Sequence, residues 1–283
     1  MTSGGIAVAC LVCSSLSIGQ TVVGLEGTDS HAKLNQLSLS QRQAGTLKQS
    51  GTKQIVVYPG DRVIAQFVDG GSWKTSMYFV NLENHSVSFQ VLFFDDFGND
   101  MLVPIVGQGV VRGLNVSLQT AGSIELESSG SAPDLTQGWA LLSQTTNDSV
   151  GGMAVFRQSV PGRPDQEAVV PIVSQFDDHF VLLFDNTAFS TGIAVANPTT
   201  SSVVIPVTIR NQAGQIIDQH SISLGSYSHT AFSLADTWGS TAGRRGAIEF
   251  QTSGFGVGAL GLRFSGSAFT SFHVLENINW VVQ

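Results

Sequence analysis

The sequence repeats itself, and this repeat limits the chain to folds that can be built twice in succession. Residues 75–82 align with residues 191–198, and residues 93–99 align with residues 209–215 at the same offset. Shorter matches follow in the same order and pair 114–118 with 220–224, 138–140 with 246–248, and 150–153 with 257–260. Several matched blocks in one order indicate two copies of one unit rather than a chance similarity.

Both copies have the residue pattern of β-strands. Short apolar runs alternate with Gly, Asn, Asp, Ser or Pro, and several of them follow the strand period of two. The runs cover residues 76–81, 87–94, 114–118, 153–156, 193–197, 203–210 and 246–251. One helical turn is predicted at residues 233–238, with Ser233 as its N-cap. We therefore predict an all-β fold of two homologous antiparallel β-sandwich units in tandem, immunoglobulin-like and of about six or seven strands each, with a closed barrel as the alternative.

The sequence divides into four segments. We predict a signal peptide at residues 1–19, a flexible leader or linker at 20–57, a first sandwich repeat at 58–173 and a second at 174–283. The leader is rich in Ser, Gln, Gly and Thr, a composition that buries little apolar surface. The join between the repeats contains Pro161, Pro164 and Pro171, which cannot donate to a strand ladder and therefore favour a boundary.

The first 19 residues have the pattern of an export signal. They contain no Asp, Glu, Lys or Arg, residues 6–12 are apolar, and small residues precede a predicted cleavage between Gly19 and Gln20. A buried strand, a misassigned start and lipid attachment at Cys10 are the alternatives. Cleavage would remove Cys10 and Cys13 and so exclude a disulfide, a thiolate metal site and a cysteine nucleophile. We expect a bacterial protein that is secreted or held at the cell surface or in the periplasm.

Composition excludes some classes of function. The formal net charge of −8 argues against a nucleic-acid-binding protein, which needs a basic face to displace counterions from phosphates. Apolar residues make up 42% of the chain, enough for a buried core. No uninterrupted apolar run approaches the length of a membrane-spanning helix, so we predict no transmembrane segment.

A family resemblance rests on four short motifs. These are Trp-Lys-Thr at residues 73–75, Ser-Thr-Gly at 190–192, Gly-Trp-Ala at 138–140 and Leu-Arg-Phe at 262–264. With them, most of the chain after Tyr58 resembles a group of exported bacterial proteins of unknown function that carry two tandem immunoglobulin-like β-sandwich repeats. The resemblance implies a fold and an exported location, and it implies no activity and no catalytic residues.

Motifs that resemble nucleotide and catalytic sites are better interpreted as turns and strands. Residues 256–261 satisfy G-x-G-x-x-G, but the residues that follow are strand-like rather than helical. Asp96-Phe97-Gly98 matches the kinase triplet, but its repeat partner is the polar turn 212–214. The chain has no G-x-S-x-G motif. We predict no catalytic residues and no cofactor.

The best metal candidate is the loop from Asp95 to Asp100. Asp95, Asp96, Asn99 and Asp100 offer oxygen ligands for calcium, whereas the corresponding residues of the second repeat are uncharged. The six histidines are scattered, and the nearest to a cluster, in Asp177-Asp178-His179, is interpreted as a solvated connection. We predict no metal site, and calcium at residues 95–100 stays open.

Two further patterns are candidates for binding a ligand. Trp73, Trp139, Trp238 and Trp280 could stack on sugar rings, but we expect the first three to serve packing. Arg244-Arg245 is the only double basic step; it could pair with an anion but is expected to be solvated in a Gly-rich loop. The ligand-binding residues therefore stay unknown at this stage.

These observations predict a non-enzymatic exported protein with a binding, adhesion or envelope-structural role. Its expected partner is a protein or polysaccharide of the cell envelope or its surroundings. The alternative is an extracellular carboxylate-dependent hydrolase that acts on polysaccharide and has an acidic cleft with one carboxyl of raised pKa. The chain could also be a fragment of a larger surface protein, and its oligomeric state is open.

Overall fold

The computed structural model describes residues 61–144, 146–173, 179–252, 256–272 and 274–275. The predicted signal peptide at 1–19, the predicted leader at 20–57 and Trp280 lie outside the described residues. In the first half of the chain the strands are β1 (Arg62–Asp69), β2 (Trp73–Asn81), β3 (Val87–Phe94), β4 (Val103–Ile105), β5 (Gly109–Val111), β6 (Gly113–Leu118), β7 (Ser123–Glu127), β8 (Thr136–Ser143), β9 (Val150–Gln158) and β10 (Gln166–Pro171).

The second half is built mainly of strands as well. They are β11 (His179–Asp185), β12 (Ser190–Ala196), β13 (Val203–Asn211), β14 (Ile216–Leu224), β15 (His229–Ser233), β16 (Arg245–Gln251), β17 (Gly258–Ser265) and β18 (Ala268–Phe272). A helical turn, α1 (Leu234–Thr237), and a 3-10 turn (Gly239–Thr241) follow β15. The predicted turn is thus confirmed, although the Ser233 side chain makes no capping hydrogen bond.

The strands form four antiparallel four-stranded sheets, and each sheet takes its strands from one half. We name them sheet A (β10-β9-β2-β7), sheet B (β1-β8-β3-β6), sheet C (β15-β12-β17-β18) and sheet D (β11-β16-β13-β14). Counted along the chain without the small β4-β5 pair, sheets A and C have the same strand order, and so do sheets B and D. The all-β prediction is confirmed, but each half contributes eight strands to its sheets, one or two more than we predicted.

Matched residues of the repeat make matched contacts. The Thr75 hydroxyl bridges the backbone N–H and C=O of Val68, and the Thr191 hydroxyl bridges those of Asp185. A Cβ on Gly138 would lie 2.0 Å from the Phe94 carbonyl oxygen, and one on Gly246 would lie 1.9 Å from the Arg210 carbonyl oxygen. These positions repeat because the backbone needs a small residue there.

The asparagines that end β2 and follow β12 have one structural role. Asn81 donates to the carbonyl oxygens of His85 and Gln119, and its own side-chain oxygen accepts the amide of Glu83. Asn197 likewise donates to carbonyl oxygens of two loops, at Ser201 and Gly225, and accepts the amide of Thr199. Both asparagines are buried. The repeated Asn therefore joins two loops at one end of each half.

The sheets of each half pack face to face over an apolar core. In the first half, Phe79 of sheet A and Phe89 of sheet B meet at 5.2 Å between ring centroids. In the second half, Ile193 of sheet C and Ile205 of sheet D belong to one buried cluster. Each half is therefore a two-layer packing of antiparallel sheets.

The two halves also pack on each other, through the outer faces of sheets B and C and through β10 of sheet A against β18 of sheet C. Val63 and Ala65 of β1 lie against Gly258 of β17, where a Cβ would come within 2.4 Å of the Val63 side chain. Ala194 and Leu262 of sheet C belong to the same buried cluster as the first-half core. We call this contact between sheets B and C the junction.

Candidate ligand-binding groove

A concave site among the described residues is an open groove of about 780 Å³ in the second half. It lies between sheet D and the end of the β17-β18 hairpin. Apolar side chains and arginines line it together; they include Leu183, Phe272, Leu275, Arg210, Arg245 and Arg263. Apolar walls with a few convergent polar groups are typical of ligand sites.

Arg210 is held on the groove by a nearly buried carboxylate. Its Nε and Nη2 donate to Glu249 Oε2 at 3.1 and 3.0 Å, and its Nη1 donates to the Gly214 carbonyl oxygen. His179 Nε2 lies 2.8 Å from the other carboxylate oxygen of Glu249. Only 5% of the Glu249 side chain is exposed. This chain of contacts crosses β11, β16 and β13 and fixes the guanidinium of Arg210.

Arg245 is held by Asp185 on the neighbouring strand. Its Nε donates to Asp185 Oδ2 at 2.9 Å. Burial acts to raise the pKa of Asp185, but hydrogen bonds from the Thr187 hydroxyl and amide and from Arg245 outweigh it and lower the pKa below its ordinary value. Asp185 is therefore ionised at neutral pH, and it positions Arg245 at the rim of the groove.

Arg263 is held by aromatic rings rather than by a carboxylate. Its guanidinium carbon lies 4.3 Å from the centroid of the Phe189 ring and 5.7 Å from that of Phe272. Within the part of the chain that the structure describes, no carboxylate lies within ion-pair distance of Arg263. A stacked guanidinium keeps its planar set of N–H donors available at its edge.

The two halves differ at the core position that Arg263 occupies. Arg263 pairs with Thr191, and in the first half the residue opposite Thr75 is Phe156. Phe156 is only 1% exposed and fills its core. Sequence reasoning missed Arg263 as a functional residue, although extending the repeat match at 150–153 and 257–260 would have aligned it with a core phenylalanine.

The tryptophans within the described residues are packing residues, as we predicted. The Trp73 ring packs at a tilt against Phe269, with 5.0 Å between the ring centroids, and Trp139 donates from Nε1 to the Tyr227 carbonyl oxygen. Trp238 lies in the second core beside α1. All three are at most 7% exposed, so none offers a ring face to a sugar.

The candidate calcium loop is occupied by its own hydrogen bonds. Asp95 accepts the amides of Phe97 and Asn99, which fixes the turn. Asp96 instead reaches across the junction to His229. Across residues 61–144, 146–173, 179–252, 256–272 and 274–275, no group of three or more His, Cys, Asp and Glu residues is placed to hold a metal ion.

Two local predictions need correction. Arg245 is exposed, as expected, but it begins β16 instead of lying in a loop, and it pairs with Asp185 because the strand register places them opposite each other. His179 was expected in a solvated connection, but it begins β11 and contacts Glu249. Asp177 and Asp178 lie outside the described residues.

The G-x-G-x-x-G run leads into a strand, as predicted. Gly258 begins β17, so a strand rather than a helix directly follows the run. A Cβ on Gly261 would lie 3.1 Å from the Phe272 side chain, and Gly258 allows the close approach of β1. These two glycines are therefore required by close packing rather than by a phosphate.

Comparisons with family models, with curated proteins and with solved structures return no match to this chain. Among the described residues, none of the helices is long and apolar enough to span a membrane. A functional proposal for this chain therefore rests on the groove and the residues that line it.

Proposed function

We propose that this is an exported, non-enzymatic binding protein of the cell envelope or its surroundings, and that its groove binds an acidic polysaccharide. The observation that carries the proposal is Arg263, stacked on Phe189 with no carboxylate partner among the described residues. A guanidinium in this setting recognises a carboxylate through two parallel hydrogen bonds.

The charge of the groove supports an anionic ligand. Three arginines and one carboxylate, Asp185, line it, in a chain whose formal net charge is −8. Asp185 and Glu249 hold Arg245 and Arg210 in place, so the guanidinium groups are ordered before a ligand arrives. Ordering in the free protein reduces the entropy that binding would otherwise cost.

The strand edge beside the groove favours a polysaccharide over an extended peptide. Val181 of β11 exchanges both backbone hydrogen bonds with Leu275, at 2.9 Å each. That pairing occupies part of the backbone edge that a peptide would need in order to add a strand. Recognition then falls to side chains, with Leu183 and Phe272 as apolar contacts for the body of a sugar ring.

The alternative of a carboxylate-dependent hydrolase has less support. It expects an acidic cleft that holds a carboxyl of raised pKa. The groove is instead lined by arginines, and the pKa of its carboxyl group, Asp185, is lowered. Binding without cleavage is therefore the function that these groups support.

We also propose that the halves are homologous β-sandwich units in tandem. The support is the shared strand order and the matched contacts of Thr75 with Thr191 and Asn81 with Asn197. Immunoglobulin-like then describes the two packed antiparallel sheets. Counted without β4 and β5, the seventh strand of each unit (β9 or β17) pairs with the second strand (β2 or β12). In an immunoglobulin domain the seventh strand pairs with the sixth.

The proposed function is tested by titrating the full chain with polygalacturonate in a calorimeter. Arg263→Gln should weaken binding at least about tenfold, because one charge-assisted carboxylate contact is worth roughly 1.4 kcal/mol or more. Arg112→Gln is the matched control, since Arg112 is an exposed arginine between β5 and β6 of the first half and does not line the groove. This variant should bind like the wild type.

Four outcomes would count against the proposal. They are equal binding by Arg263→Gln, equal binding of neutral dextran, groove-dependent binding of polyglutamate in place of polygalacturonate, and shortened sugar products after incubation. The third would assign the groove to an acidic peptide, and the fourth would favour the hydrolase. Export is tested separately by Edman sequencing of protein from the culture medium and periplasm, which should begin at Gln20.

A further inference from the structure

The junction is a head-to-tail contact. Sheets B and D are one type of sheet, and sheets A and C are the other. At the junction, the outer face of sheet B, of the first type, packs on the outer face of sheet C, of the second type. Among the residues that the structure describes, a contact of this kind leaves one face of each type without a packed sheet. Sheet A of the first half and sheet D of the second half hold these two end faces.

At Tyr78 and Glu125 the end face of sheet A is polar where its junction counterpart is apolar. Tyr78 donates to Glu125 at 2.7 Å, and the residues at the same places in sheet C are Ala194 and Ala231. The same end face carries three ion pairs: Lys74 with Glu127 at 2.7 Å, Arg157 with Glu167 at 2.6 Å and Arg157 with Glu127 at 3.9 Å. Docking another unit here would remove these groups from water.

The end face of sheet D differs from its junction counterpart in the same way. Phe94 stacks on Tyr227 across the junction, and Arg210 stands at the place of Phe94 in sheet D. Glu249 likewise stands at the place of Leu141, which is buried. Glu249 already satisfies Arg210 within this face, so a docking partner would gain little to offset the desolvation of Arg210.

We infer that these two end faces are caps that stop the head-to-tail stacking of this sandwich at two units, and that the partner they exclude is a second copy of this chain. Repeat arrays need terminal units with a polar outer face for the same reason, since an apolar end would continue to stack. The inference is independent of the ligand of the groove.

The caps are tested by giving each end face the residues of the junction. One variant carries Tyr78→Ala, Glu125→Ala, Lys74→Ser and Glu127→Ser in the full chain; the other carries Arg210→Phe, Ala247→Trp and Glu249→Leu. By sedimentation velocity each should remain a monomer, and their mixture should form a complex of twice the mass. A chain with both sets should form longer oligomers. Folded variants that stay monomeric when mixed would overturn the inference, and so would end-to-end association of the wild type.

A second test places end-face residues in the junction and does not require a new interface to form. Ala194→Tyr with Ala231→Glu places the cap pair inside the junction, and Ala194→Ser with Ala231→Ser is the matched control. The wild type and the control should each unfold in one transition, whereas the first variant should unfold in two, with strand content retained by circular dichroism. A single unchanged transition in the first variant would contradict the inference.

Discussion

Two hairpins with the same backbone have different roles in this protein. In the first half, Asp95 accepts the amides of Phe97 and Asn99, and in the second half Asn211 accepts those of Ala213 and Gln215. Gly98 and Gly214 both have positive φ, at 82° and 78°, which other residues rarely adopt. The turns are therefore equivalent in their hydrogen bonds.

The residue at the tip of each hairpin is what separates them. Asp96 Oδ1 lies 2.7 Å from His229 Nδ1, and Gln137 donates to its other oxygen at 2.9 Å, so the first hairpin ties the halves together. Gln212, at the same place in the second hairpin, is exposed and lines the groove. The turn does not use the side chain at this position for its own hydrogen bonds. That side chain can therefore contact the junction in one half and lie at the rim of the groove in the other.

The largest expected effect is at the junction. Trp139→Ala removes a fully buried ring that stacks on Phe94 and donates to the Tyr227 carbonyl oxygen. It should lower the free energy of unfolding by about 3–5 kcal/mol. Ala247→Ser, at the matched place on the groove side, should change it by less than about 0.5 kcal/mol. Urea denaturation of both variants measures the difference, and similar losses would show that the two faces are not distinguished by burial.

Substitution of the repeated glycines should have equal effects in the two halves. Gly138→Ala and Gly246→Ala each place a Cβ about 2 Å from a carbonyl oxygen of the neighbouring strand, so the strands must move apart. Each should cost up to about 3 kcal/mol of stability. The comparison is made by chemical denaturation, and a large loss in one half alone would argue against their structural equivalence.

The tip of the hairpin should matter in one half only. Asp96→Ala removes the carboxylate partner of buried His229 and should destabilise the protein by about 2 kcal/mol. Gln212→Ala should be neutral within about 0.5 kcal/mol. Thermal unfolding of the pair measures this, and equal shifts in Tm would contradict the assignment of Asp96 to the junction.

The smallest expected effect depends on pH. The pKa of Asp185 is lowered in the folded protein from 3.8, so its ionised form stabilises the fold at neutral pH, and that contribution is lost as the pH falls through the lowered pKa. Asp185→Asn should therefore cost less than about 1 kcal/mol at pH 7, and the difference from the wild type should disappear in strong acid. Denaturation at pH 7 and pH 2 tests the sign; a difference that grows in acid would contradict it.

Much of the framework could be predicted from the residues themselves. The strand predicted at residues 87–94 is β3 with the same ends, and the runs at 203–210 and 246–251 each match a strand to within one residue. These strand ends could be predicted because period-two alternation and turn residues depend only on neighbouring residues along the chain. The groove could not be predicted from the sequence, since Leu183, Arg210 and Arg263 converge from three strands that are distant in sequence.

One signal of the junction was present but was not interpreted. Four consecutive residues from Val91 to Phe94 are apolar, whereas apolar and polar residues alternate in a strand that has one solvent-exposed face. All four are buried, two in the first-half core and two on the outer face of sheet B. The corresponding stretch of the second half ends in Thr208, Ile209 and Arg210, which alternates because its outer face is open.

The sequence alone determined the repeat, the strands, the turn residues and the glycines that close packing requires, because each depends on neighbours along the chain or on one paired strand. The tertiary structure decided which outer faces are covered. Equivalent positions became a buried Phe94 in one half and a groove arginine, Arg210, in the other, because burial depends on what packs above a sheet. Alternation fixes which residues share a face, but only the packing of the two halves determines whether that face contacts protein or solvent.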